Sequence, residues 1–420
     1  MPTEKSSCRF CRAPLEHIFA DLGETPLANS YLEPSDLEFS EPSFPLKVMV
    51  CEECFLVQVP ELESAEAIFS DYAYFSSFSD SWLAHAKAYC EMAAERFALN
   101  GESLVIEIAS NDGYLLKNFV AGGIPALGIE PAANVAAAAE EDGVPTRVEF
   151  FGRESAEALA AVGVQADLIA GNNVLAHVPD LIDFVAGIPR VLKPRGVVTL
   201  EFPHLLRLMN ENQFDTIYHE HFSYFSFEAA RAVLASQALQ VFDVQQIPTH
   251  GGSLRVFAQH ESSGDYPISG SVDELLALEH RQGLRSLATY LDFDRKARYT
   301  RAGLLAFLAG QKQQGKAIAA YGAPAKGNTL LNYCGVGTET IDFTVDRSPH
   351  KQGRFLPGSR IPIFGPDKIF ERRPDTVLIL PWNLKAEIAR GLAGVGEWGG
   401  KLFVAIPEVR RVATEDRIAR

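Results

Sequence analysis

No apolar run in this chain approaches the roughly 20 residues that a helix needs to cross a bilayer. Residues 1–12 carry charged and polar side chains where a secretion leader needs an apolar centre, so a cytoplasmic protein is expected. Basic charge is in short supply: 38 Lys and Arg stand against 54 Asp and Glu, a net charge of −16. Proteins that bind nucleic acid or anionic membranes through phosphate usually carry a basic face, so neither partner is expected. There is no repeat at a solenoid period, no low-complexity tract and no complete G-x-G-x-x-G fingerprint. Cysteine is scarce too. Six in 420 residues are too few for a disulfide scaffold.

Four of those six have a purpose legible from spacing. Cys8-x-x-Cys11 and Cys51-x-x-Cys54 can each place two thiolates on one tetrahedral Zn²⁺. With all four positions filled by sulfur such an ion has no open site, so it is expected to be structural. Between the pairs, Pro26, Pro34, Pro42 and Pro45 predict a loop-rich excursion. Alternating Val48 and Val50, then Phe55, Val57 and Val59, predict short strands around the second pair.

At this length two or three domains are expected, and nearly half of the residues are apolar, enough for large cores. Residues 61–98 turn helical in period, with Trp82, Ala86, Tyr89 and Ala93 three and four apart. Just before them, residues 71–77 pack aromatics and hydroxyls together, which suits core packing with a helix cap as well as a site. Residues 104–109 have the composition of a buried parallel strand, and Ser110-Asn111-Asp112-Gly113 turns it into a helix near Tyr114. The next strand, 126–129, ends in Glu130, about twenty residues on, where a carboxylate can accept both hydroxyls of a ribose. Strands at 167–171, closing on Asn172 and Asn173, and at 196–202 extend a doubly wound parallel sheet, expected to end near Phe202. After a Gly-Gly turn at 251–252 and a helical stretch from 272 to 313, a second α/β unit begins at Ala317, with strands at 341–345, 376–380 and 402–406.

Between the two units lies Tyr218-His219-Glu220-His221, followed by Phe222, Ser223 and Tyr224. His, Glu and Tyr this close together can have their proton affinities tuned toward neutrality by burial and by one another, which suits general acid and base work. A solvated surface string reads the same way locally. His219 and His221, two apart on one strand face, could also start a metal site, but no third ligand follows at a suggestive spacing.

Glu107, the turn to Gly113, Glu130 and the 172–177 segment resemble a class I S-adenosylmethionine (SAM) dependent methyltransferase. Ala109 and Asn111 stand where that family commonly has glycine, leaving Gly113. A narrower resemblance spans nearly the whole chain. The paired CxxC knuckles, Pro26-Leu27-Ala28-Asn29-Ser30-Tyr31, Tyr72-x-Tyr74, residues 107–113, Tyr218-His219-Glu220-His221, His250-Gly251-Gly252-Ser253-Leu254-Arg255 and Tyr321-Gly322-Ala323-Pro324-Ala325-Lys326-Gly327-Asn328 occur in the order of the nucleotide-sugar C-methyltransferases, which make branched deoxysugars such as tetronitrose.

This resemblance implies an α/β protein of three parts: a zinc-binding module (1–66), a SAM-binding class I methyltransferase domain (67–250) and a Rossmann-like α/β domain (251–420) that walls the sugar-nucleotide site without nicotinamide. It implies His221 as catalytic base, with Glu220 orienting or tuning it and Tyr218 and Tyr72 positioning the sugar or stabilising an enolate. SAM contacts would come from Tyr74, Ser77, Glu107, Ala109, Asn111, Gly113, Glu130, Asn172 and Asn173. The substrate, a nucleotide-diphosphate 4-keto-deoxysugar, would meet His177, Tyr224, His250, Ser253, Arg255, Lys326, Asn328, Asp346, Lys351, Gln352 and Trp382. Methylation is expected at C3, with C5 the alternative, and the chain is expected to be a monomer or weak homodimer. An oxidoreductase or isomerase working through the C-terminal unit, and a zinc interaction module, are the competing readings.

Overall fold

A computed structural model describes residues 7–61, 76–78 and 80–413. The chain begins with β1 (His17–Thr25), β2 (Phe44–Val50) and β3 (Val57–Gln58), followed by helix α1 (Asp80–Arg96). The excursion between the cysteine pairs is therefore more than loop. Nine residues of it form β1, whose inward side chains Phe19, Ala20 and Leu22 are buried. Arg12 and Phe55, each one residue past a cysteine pair, take left-handed backbone at φ 65° and 56°. Their amides then return to the Cys8 and Cys51 carbonyls at 3.0 Å, closing two matched knuckles.

Next come β4 (Val105–Ile108), α2 (Leu116–Ala121), β5 (Ala126–Ile129), α3 (Ala133–Glu141), β6 (Thr146–Arg147), α4 (Arg153–Ala161), β7 (Ala166–Asn172), α5 (Leu181–Val191) and β8 (Leu192–Pro203). The run continues through α6 (Leu205–Asn210), β9 (Ser223–Tyr224), α7 (Phe227–Ala235), β10 (Leu239–Ile247) and β11 (Ser253–His260). The seven-stranded sheet has the order β10-β11-β8-β7-β4-β5-β6. Five of its strands are parallel, and β11 and β10 join antiparallel beyond β8. The sheet does not end near Phe202. The expected boundary at 250/251 falls in the turn between β10 and β11, two strands of one sheet.

Helices α8 (Gly270–Arg281), α9 (Leu287–Leu291) and α10 (Phe293–Gln313) lead into the last unit. It comprises β12 (Ile318–Tyr321), α11 (Ala325–Cys334), β13 (Thr344–Val345), β14 (Ile363–Phe364), β15 (Thr376–Ile379), β16 (Lys401–Val404) and β17 (Arg410–Val412), in the order β14-β13-β12-β15-β16-β17. Only β17 runs antiparallel.

The N-terminal strands are not a separate bead. β1, β2, β3 and β9 make one sheet, so the Tyr-His-Glu-His segment feeds the edge strand of the knuckle module. Phe19 stacks on Phe293 at 4.5 Å, and Val48 and Val57 share a core with Leu330 and Ile379 of the last unit. Cys8, Cys51 and Leu56 belong instead to the core under the seven-stranded sheet. Among the described residues no helix is long and apolar enough to cross a membrane.

Candidate active site

In a doubly wound sheet, ligands bind beyond the carboxyl ends of the strands where the order reverses. In the seven-stranded sheet that point lies between β4 and β7, and it carries the expected SAM residues. Ala109, Asn111 and Gly113 all take left-handed backbone, at φ 56°, 51° and 73°. The turn thus keeps the conformation for which glycine is the usual choice, although two of its three positions carry a Cβ. At Gly113 space as well as φ matters, because a Cβ would meet Val144 Cγ2 at 3.0 Å.

Glu130 receives the Asn111 and Ala132 amides, both at 2.9 Å, fixing the turn to the end of β5. Ser76 donates its amide to Asn111 Oδ1 at 2.9 Å, and Ser77 donates amide and hydroxyl to Asp112 Oδ2 at 3.1 and 2.6 Å. Tyr72 and Tyr74 lie outside the described residues.

Glu107 tests whether this crevice fits SAM. Among the described residues Ser110 Oγ, Asp112 Oδ1 and both amide atoms of Asn172 are buried without a hydrogen-bond partner, and the two buried Glu107 oxygens have only the Tyr114 hydroxyl to draw on. Burial, then the Asp112 and Glu130 carboxylates, push the Glu107 pKa well above its ordinary value. Orphaned buried groups of this kind are costly. An ammonium group and hydroxyls, as SAM presents, would satisfy them, so these residues fit the cofactor. Asn173, at φ 55°, ties its amide to the Glu201 carbonyl at 2.8 Å.

The proton-handling groups sit in the loop that follows. His221 Nδ1 lies 2.9 Å from the Thr216 carbonyl, which can only accept, so Nδ1 carries the hydrogen. Nε2 is then the bare nitrogen, and it accepts from the Tyr218 hydroxyl at 2.8 Å. Burial, reinforced by the neighbouring His177, holds the His221 pKa well below its ordinary value. The His177 ring lies 4.6 Å away, edge to face, and burial lowers its pKa to about 4.

Glu220 has a partner that the sequence reading did not name. Its carboxylate accepts from Asn29 Nδ2 at 2.6 Å, and burial raises its pKa to about 7 against that hydrogen bond. Tyr224 supports the loop from below, its hydroxyl accepting the Tyr218 amide at 3.3 Å. His219 packs edge to face on Phe44 and reaches the Pro45 carbonyl at 3.3 Å.

A wall from the last unit stands at the reversal point of the six-stranded sheet, between β12 and β15. Lys326 bonds Asn383 Oδ1 at 2.9 Å and lies 4.9 Å over Trp382, whose Nε1 donates to Asp215 Oδ2 at 2.7 Å. Burial lowers the Lys326 pKa and raises that of Asp215 to about 7. The turn at 250 joins this wall to the donor crevice. A Cβ on Gly251 would collide with the Trp382 ring, and His250, at φ 54°, sets its ring 4.9 Å from Trp82.

Other expected contacts have protein partners. The Ser253 hydroxyl donates to the Thr249 carbonyl at 3.0 Å, and Arg255 pairs with Glu201 at 2.5 Å and Gln245 at 3.2 Å inside the seven-stranded sheet. Asn328 binds the Ala28 carbonyl at 2.6 Å. Asp346 receives the Ala323 and Ser348 amides at 2.7 and 2.9 Å, Lys351 donates to the Ala323 carbonyl at 2.8 Å, and Gln352 donates to the Asp346 carbonyl at 2.9 Å. Sequence reasoning missed Thr216, Asp215 and Asn29 as partners. Asn29 stood within a quoted motif, but no local pattern marks the other two.

At the knuckles, the sulfurs of Cys8, Cys11, Cys51 and Cys54 lie within 4.8 Å of one another. Cys8 to Cys54 is 3.6 Å and Cys11 to Cys51 is 3.4 Å, close to the ~3.8 Å sulfur separation of a tetrahedral Zn²⁺ with bonds of about 2.3 Å. The donor set fits zinc, with all four positions filled.

Comparison with known proteins agrees with each part. Residues 8–69 match a zinc binding domain, residues 82–241 a methyltransferase domain, and residues 248–407 a C-methyltransferase C-terminal domain. The C-methyltransferase NovU of Streptomyces niveus is 37% identical over 411 residues, covering 98% of each chain. Among solved structures, magnesium protoporphyrin IX methyltransferase from Synechocystis PCC 6803 with bound SAM aligns over 43% of this chain and 81% of its own, at 13% identity and a TM-score of 0.32.

Proposed function

Since the chain belongs to the SAM-dependent C-methyltransferases that carry an N-terminal zinc module, we propose that it methylates C3 of a nucleotide-linked 4-keto-deoxysugar, with His221 as the base. One observation carries the reading: the Thr216 carbonyl fixes the hydrogen on Nδ1, leaving Nε2 as the basic nitrogen beside a phenol. Carbon methylation needs a carbon nucleophile, so the proton beside the ketone must be removed while the enolate is held. His221 Nε2 takes that proton. The Tyr218 hydroxyl swings from Nε2 to the oxygen that gains charge, and donates there.

Burial of the imidazole keeps it neutral and ready to accept below its ordinary titration range. SAM, when bound, supplies an electrophilic methyl whose sulfur takes the bonding pair on departure. Glu107, Asn172 and the 109–113 turn would hold its amino-acid portion, and Glu130 its ribose. His250, Lys326 and Trp382 line the opposite wall and would meet the sugar nucleotide.

Incubation with methyl-labelled SAM and a panel of 4-keto nucleotide sugars, followed by NMR of the product, tests this. Label on C3 supports it. Label on C5 of a similar sugar keeps the chemistry and moves the position, and label on oxygen or nitrogen overturns it.

A further inference from the structure

The knuckle module makes a connection that the zinc alone does not explain. Arg9, between Cys8 and Cys11, reaches the segment that directly follows His221. Its guanidinium donates to the Val59 carbonyl at 2.7 Å and to Ser223 Oγ at 3.3 Å, and lies 5.3 Å over the Phe222 ring. Its amide is held by Gln58 Oε1 at 2.9 Å, and Gln58 Nε2 in turn reaches Cys8 Sγ at 3.2 Å. Gln58 and Val57 pair across the sheet with Ser223 and Tyr224, and the Val59 amide bonds the Phe222 carbonyl at 3.0 Å. Phe222 and Ser223 directly follow His221, and Tyr224 anchors the Tyr218 amide. Every link from the first knuckle to the Tyr218 and His221 pair is thus a hydrogen bond, a ring contact or a covalent neighbour.

We infer that Arg9 is a positioning residue: it transmits the geometry of the zinc knuckle to the catalytic loop and fixes the direction in which His221 presents Nε2. A two-pronged guanidinium suits this task, because its donors lie in one rigid plane and can set Val59 and Ser223 against each other. The strand pairing of β3 with β9 is only two residues long, so it supplies register with little stiffness. The base must meet a carbon acid within a narrow geometry, and a displacement of about 1 Å can cost on the order of a hundredfold in rate.

The test compares Arg9→Met and Arg9→Lys in the full chain, with zinc content measured in each. The histidines are labelled with ¹³C and ¹⁵N, and His221 is assigned by its loss in His221→Gln. With zinc at wild-type content, Arg9→Met is expected to shift or broaden the His221 ring signals. Arg9→Lys should move them part of the way, and stripping zinc from the wild-type chain with a chelator should disturb the same signals. On the kinetic side, kcat for methyl transfer falls by about tenfold to a hundredfold in Arg9→Met while KM for SAM holds.

His221 signals unmoved in zinc-loaded Arg9→Met overturn the inference. The kinetic arm rests on the reading of His221 as base, and the spectroscopic arm does not. Moved signals with an unchanged rate therefore leave the coupling standing and remove His221 from catalysis instead. Should Arg9→Met fail to load zinc, Ser223→Ala, which deletes only the acceptor, carries the same comparison.

Discussion

Tyr218 gives its hydroxyl hydrogen to Nε2 of His221 at 2.8 Å, while Nδ1 of the same ring gives its own to the Thr216 carbonyl at 2.9 Å. Two groups from one loop therefore set both the tautomer and the direction of a base. Glu220, the string's only carboxylate, makes neither of these bonds. It serves the contact with Asn29.

Removing the base should separate chemistry from cofactor binding. His221→Ala is expected to lose at least about a hundredfold in methyl transfer, the usual worth of a placed general base. Tyr218→Phe loses the donor to the developing enolate and should cost about a hundredfold. Calorimetry should find SAM affinity unchanged in both, because neither residue belongs to the 107–113 or 172–173 segments.

Glu107→Gln should move stability and binding in opposite directions. Its carboxylate is buried and burdened by Asp112 and Glu130, so the neutral amide is expected to raise the Tm of the ligand-free chain. Losing a charged hydrogen-bond acceptor should weaken SAM binding by about 1.5–3 kcal/mol. The Tm gain on adding SAM then shrinks, which thermal unfolding with and without the cofactor would reveal.

Glu220 should leave a mark on the pH dependence of stability. Its folded pKa is raised from 4.5 to about 7, so within that window the folded chain keeps a proton that the unfolded chain releases. The stabilisation is complete below pH 4.5 and is lost as pH rises through 7. Asp215 acts with the same sign, and His177, lowered to about 4, with the opposite one. The difference between wild type and Glu220→Gln isolates the Glu220 share: the variant should gain relative stability from pH 5 to 8 in denaturant titrations. A difference independent of pH would refute the assignment.

Ala109 holds a left-handed backbone that an L residue adopts at a cost of about 1–2 kcal/mol. Glycine there relieves this but adds roughly 0.5–1 kcal/mol of unfolded-chain entropy, so Ala109→Gly should gain up to about 1.5 kcal/mol. Ala109→Val should lose about 1–3 kcal/mol, since branching at Cβ makes that backbone worse. Chemical denaturation of the two variants checks both signs.

Much of this protein is decided locally. Two CxxC knuckles, strand compositions at 105–108 and 126–129, and the turn to Gly113 depend on contacts a few residues long, so spacing and pattern specify them. The order of motifs likewise tells which family the chain belongs to. Tertiary structure decided which side chain meets which. Glu220 binds Asn29 from 191 residues away and Trp382 binds Asp215 from 167 away, and no periodicity encodes such pairings. It decided that residues 239–247 and 253–260 extend the donor sheet past β8, because antiparallel strands can be supplied from beyond an apparent boundary. And it turned Arg9, unremarkable between two cysteines, toward the loop that holds His221, because the Val59 carbonyl and the Ser223 hydroxyl, distant from each other in the chain, meet there as its acceptors.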